Sequence, residues 1–513
     1  MNVSRRFFIG GASAFGAFGA FQGCRFLTDS RHAPDGEPKL RFGVISDIHI
    51  NCVVGCGEDT FARGSNETFR QTLRWFRSQN VDAVVIAGDM ADRGMDHQLL
   101  AVADAWYSVF PGDRYPDGRP VEKVFIYGNH DWRGCNYDGG YADKMYPDYD
   151  ERVKHALQAD MGGWWRRAFH EDYSPLYAKS VKGYTFIGQH WDRGCGYPLG
   201  DKGGIDPHTM IVPYLAAHGK ALDPSLPFFY VQHPHPKDTC YGPWAWGHDD
   251  GAATKALSAF PNAIAFSGHS HYSLTDERSV WQGAFTSVGT SSLRYGCAPF
   301  DEFGPYGYEN CNASGKGKPR ALQNAGKLMP PIEYGDTRQG MLWSVYDDCI
   351  VVKRRDFFSD LDLGDDWVLP LPTAEARPFA FAERAKKIGA PSFVAGQAAK
   401  VERTRAKNRG GNSPDMPPAV EREVYKVTAP QCVPARNART LDLEFVAECG
   451  DVRIVRMVAA EGFDHAPESP RARRRTHCFF NVADFPAGKP VTFTVTPLNC
   501  FRRRGGSVTV KSA

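Results

Sequence analysis

Five times within the first 271 residues a short apolar run ends in a cluster of Asp, Asn or His. Arg41–Ser46 leads into Asp47-x-His49, and Ala83–Ala87 into Gly88-Asp89-x-x-Asp92. Val124–Tyr127 leads into Gly128-Asn129-His130-Asp131, Phe228–Gln232 into His233-Pro234-His235-Pro236, and Ala263–Ser267 into Gly268-His269-Ser270-His271. Runs this short, apolar on both alternations and bounded by Gly or Pro, read as strands buried on both faces. Helical spacing between them (Phe69, Leu73 and Phe76 in Glu67–Ser78, then Leu99–Val109) makes βαβ units and a mainly parallel sheet. In such a sheet the carboxyl ends of the strands open onto one crevice, so residues scattered over more than two hundred positions converge.

The residue types that converge have one chemistry in common. Asp, Asn and His offer oxygen and imidazole nitrogen donors suited to Mn, Fe, Zn, Co or Ni. Asp47-x-His49 puts two donors on the same side of an extended segment, so both reach one ion. A carboxylate shared between two ions fixes them about 3.5–4 Å apart, the spacing that clamps the attacking and leaving oxygens of a phosphoryl displacement. His233 and His235 are rival ligands here, with His233 favoured because it follows its strand directly.

The rest of the chain is organised around this region. Further strands are expected at Tyr184–Ile187, Ala284–Val288, and the pair Met341–Tyr346 with Ile350–Arg354. The Gly-, Pro-, Tyr- and Asn-rich stretch 289–340 has little periodicity. Residues 357–420 read as a linker with a helical patch near Ala374–Lys387. From 421 to 513, short strands at Leu441–Phe445, Val452–Val458, His477–Val482, Val491–Val495 and Val508–Val510 make a small all-β sandwich. Formal net charge is +2, which argues for neither a polyanion binder nor an acidic tail. The clusters Arg471–Arg475 and Arg502–Arg504 lack aromatic interleaving, so nucleic-acid binding is not inferred; they read as solvated faces or as a basic patch for headgroups or glycans.

At the N-terminus, Arg5-Arg6 precede a glycine- and alanine-rich apolar run up to Ala20, too short and glycine-rich for a membrane-spanning helix. This resembles a bacterial Tat signal, with residues 1–30 as the export segment and a periplasmic or cell-envelope location. Gly23-Cys24 leaves two outcomes open, lipid attachment at Cys24 as a membrane anchor or cleavage before Arg31. Thirteen cysteines fit an oxidising compartment. Cys52 with Cys56, and Cys297 with Cys311, are close enough in sequence for local bridges, but connectivity is not readable from spacing.

The ordered set DxH, GDxxD, GNHD, H and GHxH resembles the calcineurin-like metallophosphoesterase family, over residues 38–356. The resemblance implies a four-layer αββα sandwich, to which the C-terminal all-β sandwich is added. It implies that Asp47, His49 and His271 hold a first metal, that Asp89 bridges, and that Asn129, His233 and His269 complete a second site. It assigns His130 to the substrate, stabilising phosphate oxygens or protonating the leaving group, with Asp131 orienting His130 through its other N–H. The implied reaction is hydrolysis of a phosphomonoester or phosphodiester by a metal-activated hydroxide, on two divalent or trivalent ions. Asp92 stands where the related purple acid phosphatases carry a ligating tyrosine, which argues against tyrosinate–iron chemistry, and otherwise reads as a turn cap. The alternative function is a non-catalytic metal-binding scaffold; the retained His130-Asp131 pair favours the enzyme. Arg294, Tyr295 and Arg338, with Tyr306 and Tyr308, belong to or adjoin the irregular stretch after the last motif, which shapes substrate choice or is a surface excursion.

Overall fold

The computed structural model describes residues 34, 36–50, 60–92, 94, 96–131, 161–191, 209–243, 245, 247–296, 338–407 and 421–512. The expected export segment, Cys24, and the cysteine pairs 52/56 and 297/311 lie outside the described residues. Within them, each of the five apolar runs is a strand: β1 (Leu40–Ile45), β2 (Ala83–Ala87), β3 (Glu122–Ile126), then β6 (Phe228–Val231) and β7 (Ala263–Ser267). Between β3 and β6 lie β4 (Leu176–Val181) and β5 (Tyr184–Gln189). After β7 come β8 (Val280–Gln282), β9 (Thr286–Gly289), β10 (Gln339–Val345), β11 (Cys349–Asp356), β12 (Leu361–Asp362) and β13 (Trp367–Pro370).

These strands form two mixed sheets. The first runs β12-β11-β10-β1-β2-β3 with β13 also on β11; β1, β2 and β3 are mutually parallel, and β10 returns antiparallel to β1. The second runs β4-β5-β6-β7-β9-β8, with β5, β6, β7 and β9 parallel. Alternation along β2 explains its unbroken apolar sequence. Val84 and Ile86 face a cluster containing Phe69, Leu73 and Phe76 of α1 (Thr60–Ser78) and Val102 and Trp106 of α2 (Asp96–Val109). Val85 and Ala87 face the other way, into the space between the sheets.

That inter-sheet core is aromatic. The Phe42 ring lies 5.2 Å from Phe186, 4.8 Å from Phe229 and 5.9 Å from Trp343, so one side chain of β1 touches both sheets. On the far side of the second sheet, Phe228, Tyr230 and Ala263 pack against Ile211 and Leu215 of the helix Ile211–His218, and Leu257 of the helix Ala252–Leu257. Helices, sheet, sheet, helices: the four-layer αββα sandwich is the observed architecture, its three cores separating its four layers.

The C-terminal region is all-β, as expected. β14 (Lys400–Lys407), β15 (Glu421–Thr428) and β18 (His477–Asn481) form one sheet. β16 (Asp442–Cys449), β17 (Val452–Ala459), β19 (Thr492–Leu498) and β20 (Val508–Lys511) form the other. Phe445, Phe480 and Phe493 fill the space between them. Residues 357–420, read as linker, contribute β13 to the first sheet and β14 to the sandwich; the short helix expected there runs Phe381–Lys387. Gly36–Ala513 form one compact unit. The sandwich docks on the sheets through a loop after β17: Gln339 Nε2 donates to the Asp464 carbonyl at 2.5 Å, and the Arg471 guanidinium lies 3.7 Å over the Phe358 ring. The Arg502–Arg504 run makes intramolecular contacts: Arg502 pairs with Asp442 and Arg504 with Glu444, both on β16, while Arg503 donates to the Ile388 carbonyl. Cys240, Cys349, Cys432, Cys449, Cys478 and Cys500 are free thiols. No helix among the described residues is long and apolar enough to cross a membrane.

Candidate metal centre

Each strand delivers its residues just past its carboxyl end, and the loops there continue the strand pairing. Asp47 N donates to the Gly88 carbonyl at 3.0 Å, His49 N to that of Asp89 at 3.0 Å, and Gly268 N to that of His233 at 2.9 Å. The chain makes these turns at a cost. Asp47, His49, Asp89, His269 and His271 have φ of 52°, 47°, 52°, 68° and 56°, a left-handed conformation costing about 1–3 kcal/mol at each non-glycine residue. Two motif glycines are explained by space: a side chain on Gly128 would run into the Asp89 carboxylate, and one on Gly268 into that of Asp47.

The predicted ligands assemble into two adjoining groups. Asp47, His49, Asp89 and His271 bring ligand atoms within 4.8 Å of one another, and Asp89, His233 and His269 do the same, so Asp89 belongs to both. His271 Nε2 lies 2.9 Å from Asp47 Oδ1 and 3.2 Å from His49 Nε2. His233 Nε2 lies 3.1 Å from Asp89 Oδ2 and 3.0 Å from Asn129 Oδ1, which brings Asn129 into the second group.

Hydrogen bonding fixes which nitrogens carry protons, and this tests whether metal ions fit. His271 Nδ1 faces the Tyr295 carbonyl at 3.0 Å, and His233 Nδ1 the Ala87 carbonyl at 2.8 Å. A carbonyl only accepts, so both Nδ1 atoms carry hydrogen. His49 Nδ1 lies 3.4 Å from the Asp92 carboxylate without hydrogen-bond geometry, and that negative charge favours the proton on Nδ1. In their neutral forms His271 and His49 then turn bare Nε2 lone pairs toward each other at 3.2 Å and toward the Asp47 carboxylate at 2.9 Å and 3.8 Å. Lone pairs so arranged repel, and a cation among them resolves the conflict. The donor set fits two first-row metal ions.

The electrostatics agree. Burial pushes His49 down to about 4 and His269 well below its usual range, so both are neutral imidazoles at physiological pH. Burial would lower His233 too, but the Asp89 carboxylate outweighs it and pushes His233 up to about 9. Positive charge at that nitrogen is what the pocket demands. Asp47 and Asp89 are held below the carboxylate range, burial being outweighed chiefly by His271 and His233 respectively.

His235 is excluded as a ligand. Its Nδ1 is 2.7 Å from Ser267 Oγ and its Nε2 2.7 Å from Ser270 Oγ, so both ring nitrogens are engaged by hydroxyls. His130 stands beside His49, rings 4.6 Å apart, and its backbone N donates to Asp89 Oδ1 at 2.8 Å. The expected partnership of His130 with Asp131 is corrected. His130 Nδ1 donates to the Asp92 backbone carbonyl at 2.9 Å. Asp131 accepts instead from Ala91 N at 2.6 Å, Gly128 N at 2.7 Å and Met90 N at 3.2 Å, stitching two motif loops together. The tight turn Gly128-Asn129-His130-Asp131 folds the carboxylate back on its own loop, away from the imidazole it precedes in the motif. Burial, reinforced by the Asp89 charge, raises Asp131 to about 7.

Two aromatics flank the site: Tyr295, which the sequence placed beside the irregular stretch, and Trp191, which the sequence reading did not single out. Trp191 lies 5.6 Å from the His269 ring, and Tyr295 lies 4.2 Å from that of His271. Trp191 follows the end of β5, the signal that would have found it. Asp92 proves to contact His49 as well as a turn. His190 is a core residue: Tyr127 N donates to its Nδ1 at 2.9 Å, and Trp165 packs on its ring. Burial, with Lys179 adding to it, pushes His190 down to about 3 from 6.5. The unfolded chain therefore takes up this proton at higher pH than the folded one, and stability falls as pH drops from 6.5 towards 3. Urea titrations should show His190→Gln losing stability less steeply across that window, by about 1.4 kcal/mol per pH unit. Equal slopes for both proteins would refute it.

Residues 40–273 match the family model of the Calcineurin-like phosphoesterases. No curated protein sequence matches the chain. Among solved structures, a dimetal phosphatase from Danio rerio is similar at 15% identity, with 65% of this chain and 99% of that one covered and a TM-score of 0.32. A purple acid phosphatase from yellow lupin seeds is similar at 12% identity, with 70% of this chain and 58% of that one covered and a TM-score of 0.38. Scores this low carry nothing further.

Proposed function

We propose that the chain is a metal-dependent phosphoesterase of the calcineurin-like family, hydrolysing a phosphodiester or phosphomonoester at a dinuclear centre. One observation carries the reading: two clusters of histidine nitrogens and carboxylates share the single carboxylate Asp89. Bound there, two ions would lower the pKa of water and neutralise charge on the phosphoryl oxygens. Asp47, His49 and His271 would hold the first, and Asn129, His233 and His269 the second. His130, its Nδ1 donating to the Asp92 carbonyl, would act on a phosphoryl or leaving-group oxygen through its imidazole. Asp131 positions the loop that carries Asn129 and His130. Export through the Tat pathway belongs to the same proposal, supported by Arg5-Arg6 and the apolar run after them.

The test is hydrolysis of bis-p-nitrophenyl phosphate and p-nitrophenyl phosphate by the purified chain, stripped with chelator and reloaded separately with Mn, Fe, Zn, Co or Ni. Turnover that disappears on stripping and returns with metal is expected, and the preferred ester assigns the substrate class. Metal binding without turnover on these or on natural phosphoesters favours the scaffold instead.

A further inference from the structure

The first metal cluster is closed from behind by a segment outside the family-matched residues. After β9 the chain runs through Thr290–Tyr295, and its groups meet the DxH loop one by one. Leu293 N donates to the Ser46 carbonyl at 3.2 Å, Ser292 Oγ to the Asp47 carbonyl at 3.0 Å, and Arg294 Nη1 to the His49 carbonyl at 2.8 Å. These carbonyls lie past the end of β1, and buried carbonyls need donors from somewhere. At its end the segment offers the Tyr295 carbonyl to His271 Nδ1. From the other side it is held by Gln339, whose N donates to the Ser292 carbonyl at 2.9 Å and whose Oε1 accepts from Ser291 Oγ at 3.0 Å.

Arg294 makes a second contact from the same nitrogen: Nη1 lies 2.9 Å from Asp92 Oδ1, and that oxygen is 3.4 Å from His49 Nδ1. Arg294 is only 9% exposed and Asp92 8%. A charge pair this well buried holds its geometry, and breaking it leaves an uncompensated charge. We infer that Arg294 is a positioning residue of the first metal site, acting through Asp92 to set the tautomer and ring orientation of His49. The guanidinium grips His49 at both ends, its backbone carbonyl directly and its imidazole through the carboxylate. With the Asp92 charge 3.4 Å from Nδ1 favouring the proton there, Nε2 is presented to the cluster. A carboxylate behind a ligating histidine also makes the imidazole a stronger donor. The inference rests on the dinuclear reading of the site.

The experiment is calorimetric titration of the stripped full-length chain with Mn²⁺, with kcat and KM alongside, for Arg294→Ala, Arg294→Lys, Asp92→Asn and the double variant Arg294→Ala/Asp92→Asn. Wild type should bind two equivalents. Arg294→Ala should bind one of them about 10–100-fold more weakly and leave the other unchanged, with kcat falling and KM little altered. Arg294→Lys, which keeps the charge, should restore most of the affinity. Asp92→Asn should match Arg294→Ala, and the double variant should lose little more, because both break one link. Unchanged affinity for both equivalents in Arg294→Ala and Asp92→Asn overturns the inference alone. So does equal weakening of both equivalents, which marks a general loss of the site. Should Arg294→Ala not fold, the isosteric Asp92→Asn decides. A wild-type chain that binds no Mn²⁺ sinks the phosphoesterase reading and this inference with it.

Discussion

Asp89→Ala is expected to empty both metal positions at once and to lower kcat/KM by on the order of 10³-fold or more, about 4 kcal/mol of transition-state stabilisation. Asp89 is the one side chain common to the two clusters, and it is 1% exposed. Its Oδ2 faces His233 Nε2 at 3.1 Å and His49 Nε2 at 3.8 Å, while Oδ1 accepts from the His130 backbone. Removing it takes a ligand from each group and leaves a buried N–H without its acceptor. Two readouts separate this from unfolding. Wild type should gain thermal stability from added metal, by about 2.7 kcal/mol at a hundredfold excess over Kd, and the variant should gain almost none. Metal analysis of the dialysed proteins should find two equivalents in one and none in the other. A variant that retains one tightly held ion would show that the clusters are independent and that Asp89 does not bridge.

His130→Ala is expected to separate chemistry from metal binding. The imidazole belongs to neither of the clusters that share Asp89, and its Nδ1 is tied to the Asp92 carbonyl. Both metal equivalents should stay, while kcat falls by about 10²–10⁴-fold, the usual contribution of a positioned proton donor or oxyanion partner. The loss should shrink for esters with a good leaving group such as p-nitrophenolate and grow for alkyl esters, if protonation of the leaving group is the main role. Equal losses for both ester types would point to stabilisation of the phosphoryl oxygens. Loss of a metal equivalent would move His130 into the ligand set, with His49 and Asp92 as its neighbours.

Much of this architecture was legible in the sequence for a simple reason. A strand buried on both faces must be apolar throughout, so Ala83–Ala87 and Ala263–Ser267 announce themselves, and the polar residue that ends each run marks a sheet edge. β4, by contrast, reads Leu-Tyr-Ala-Lys-Ser-Val with five of its six residues half-buried or exposed, and β8 is three residues long; neither carries a pattern that stands out from loop. β14 is a charged ladder pairing Arg403 with Glu423 and Arg405 with Glu421, which in sequence alone resembles a solvated linker.

The sequence by itself determined the ligand types, their order and their place at strand ends, because local patterning dictates strands and parallel connection dictates which edge they share. Tertiary structure alone decided the partners. Only folding could show that His233 turns its Nε2 to Asp89 while His235, two residues on, spends both nitrogens on serine hydroxyls. It likewise gave His130 to the Asp92 carbonyl and Asp131 to three backbone amides, against the order the motif suggests. A hydrogen bond depends on where a side chain points within a few tenths of an ångström, and that direction is set by left-handed turns and by packing from segments such as Thr290–Tyr295. Those segments are distant in sequence, so no local pattern encodes the contact.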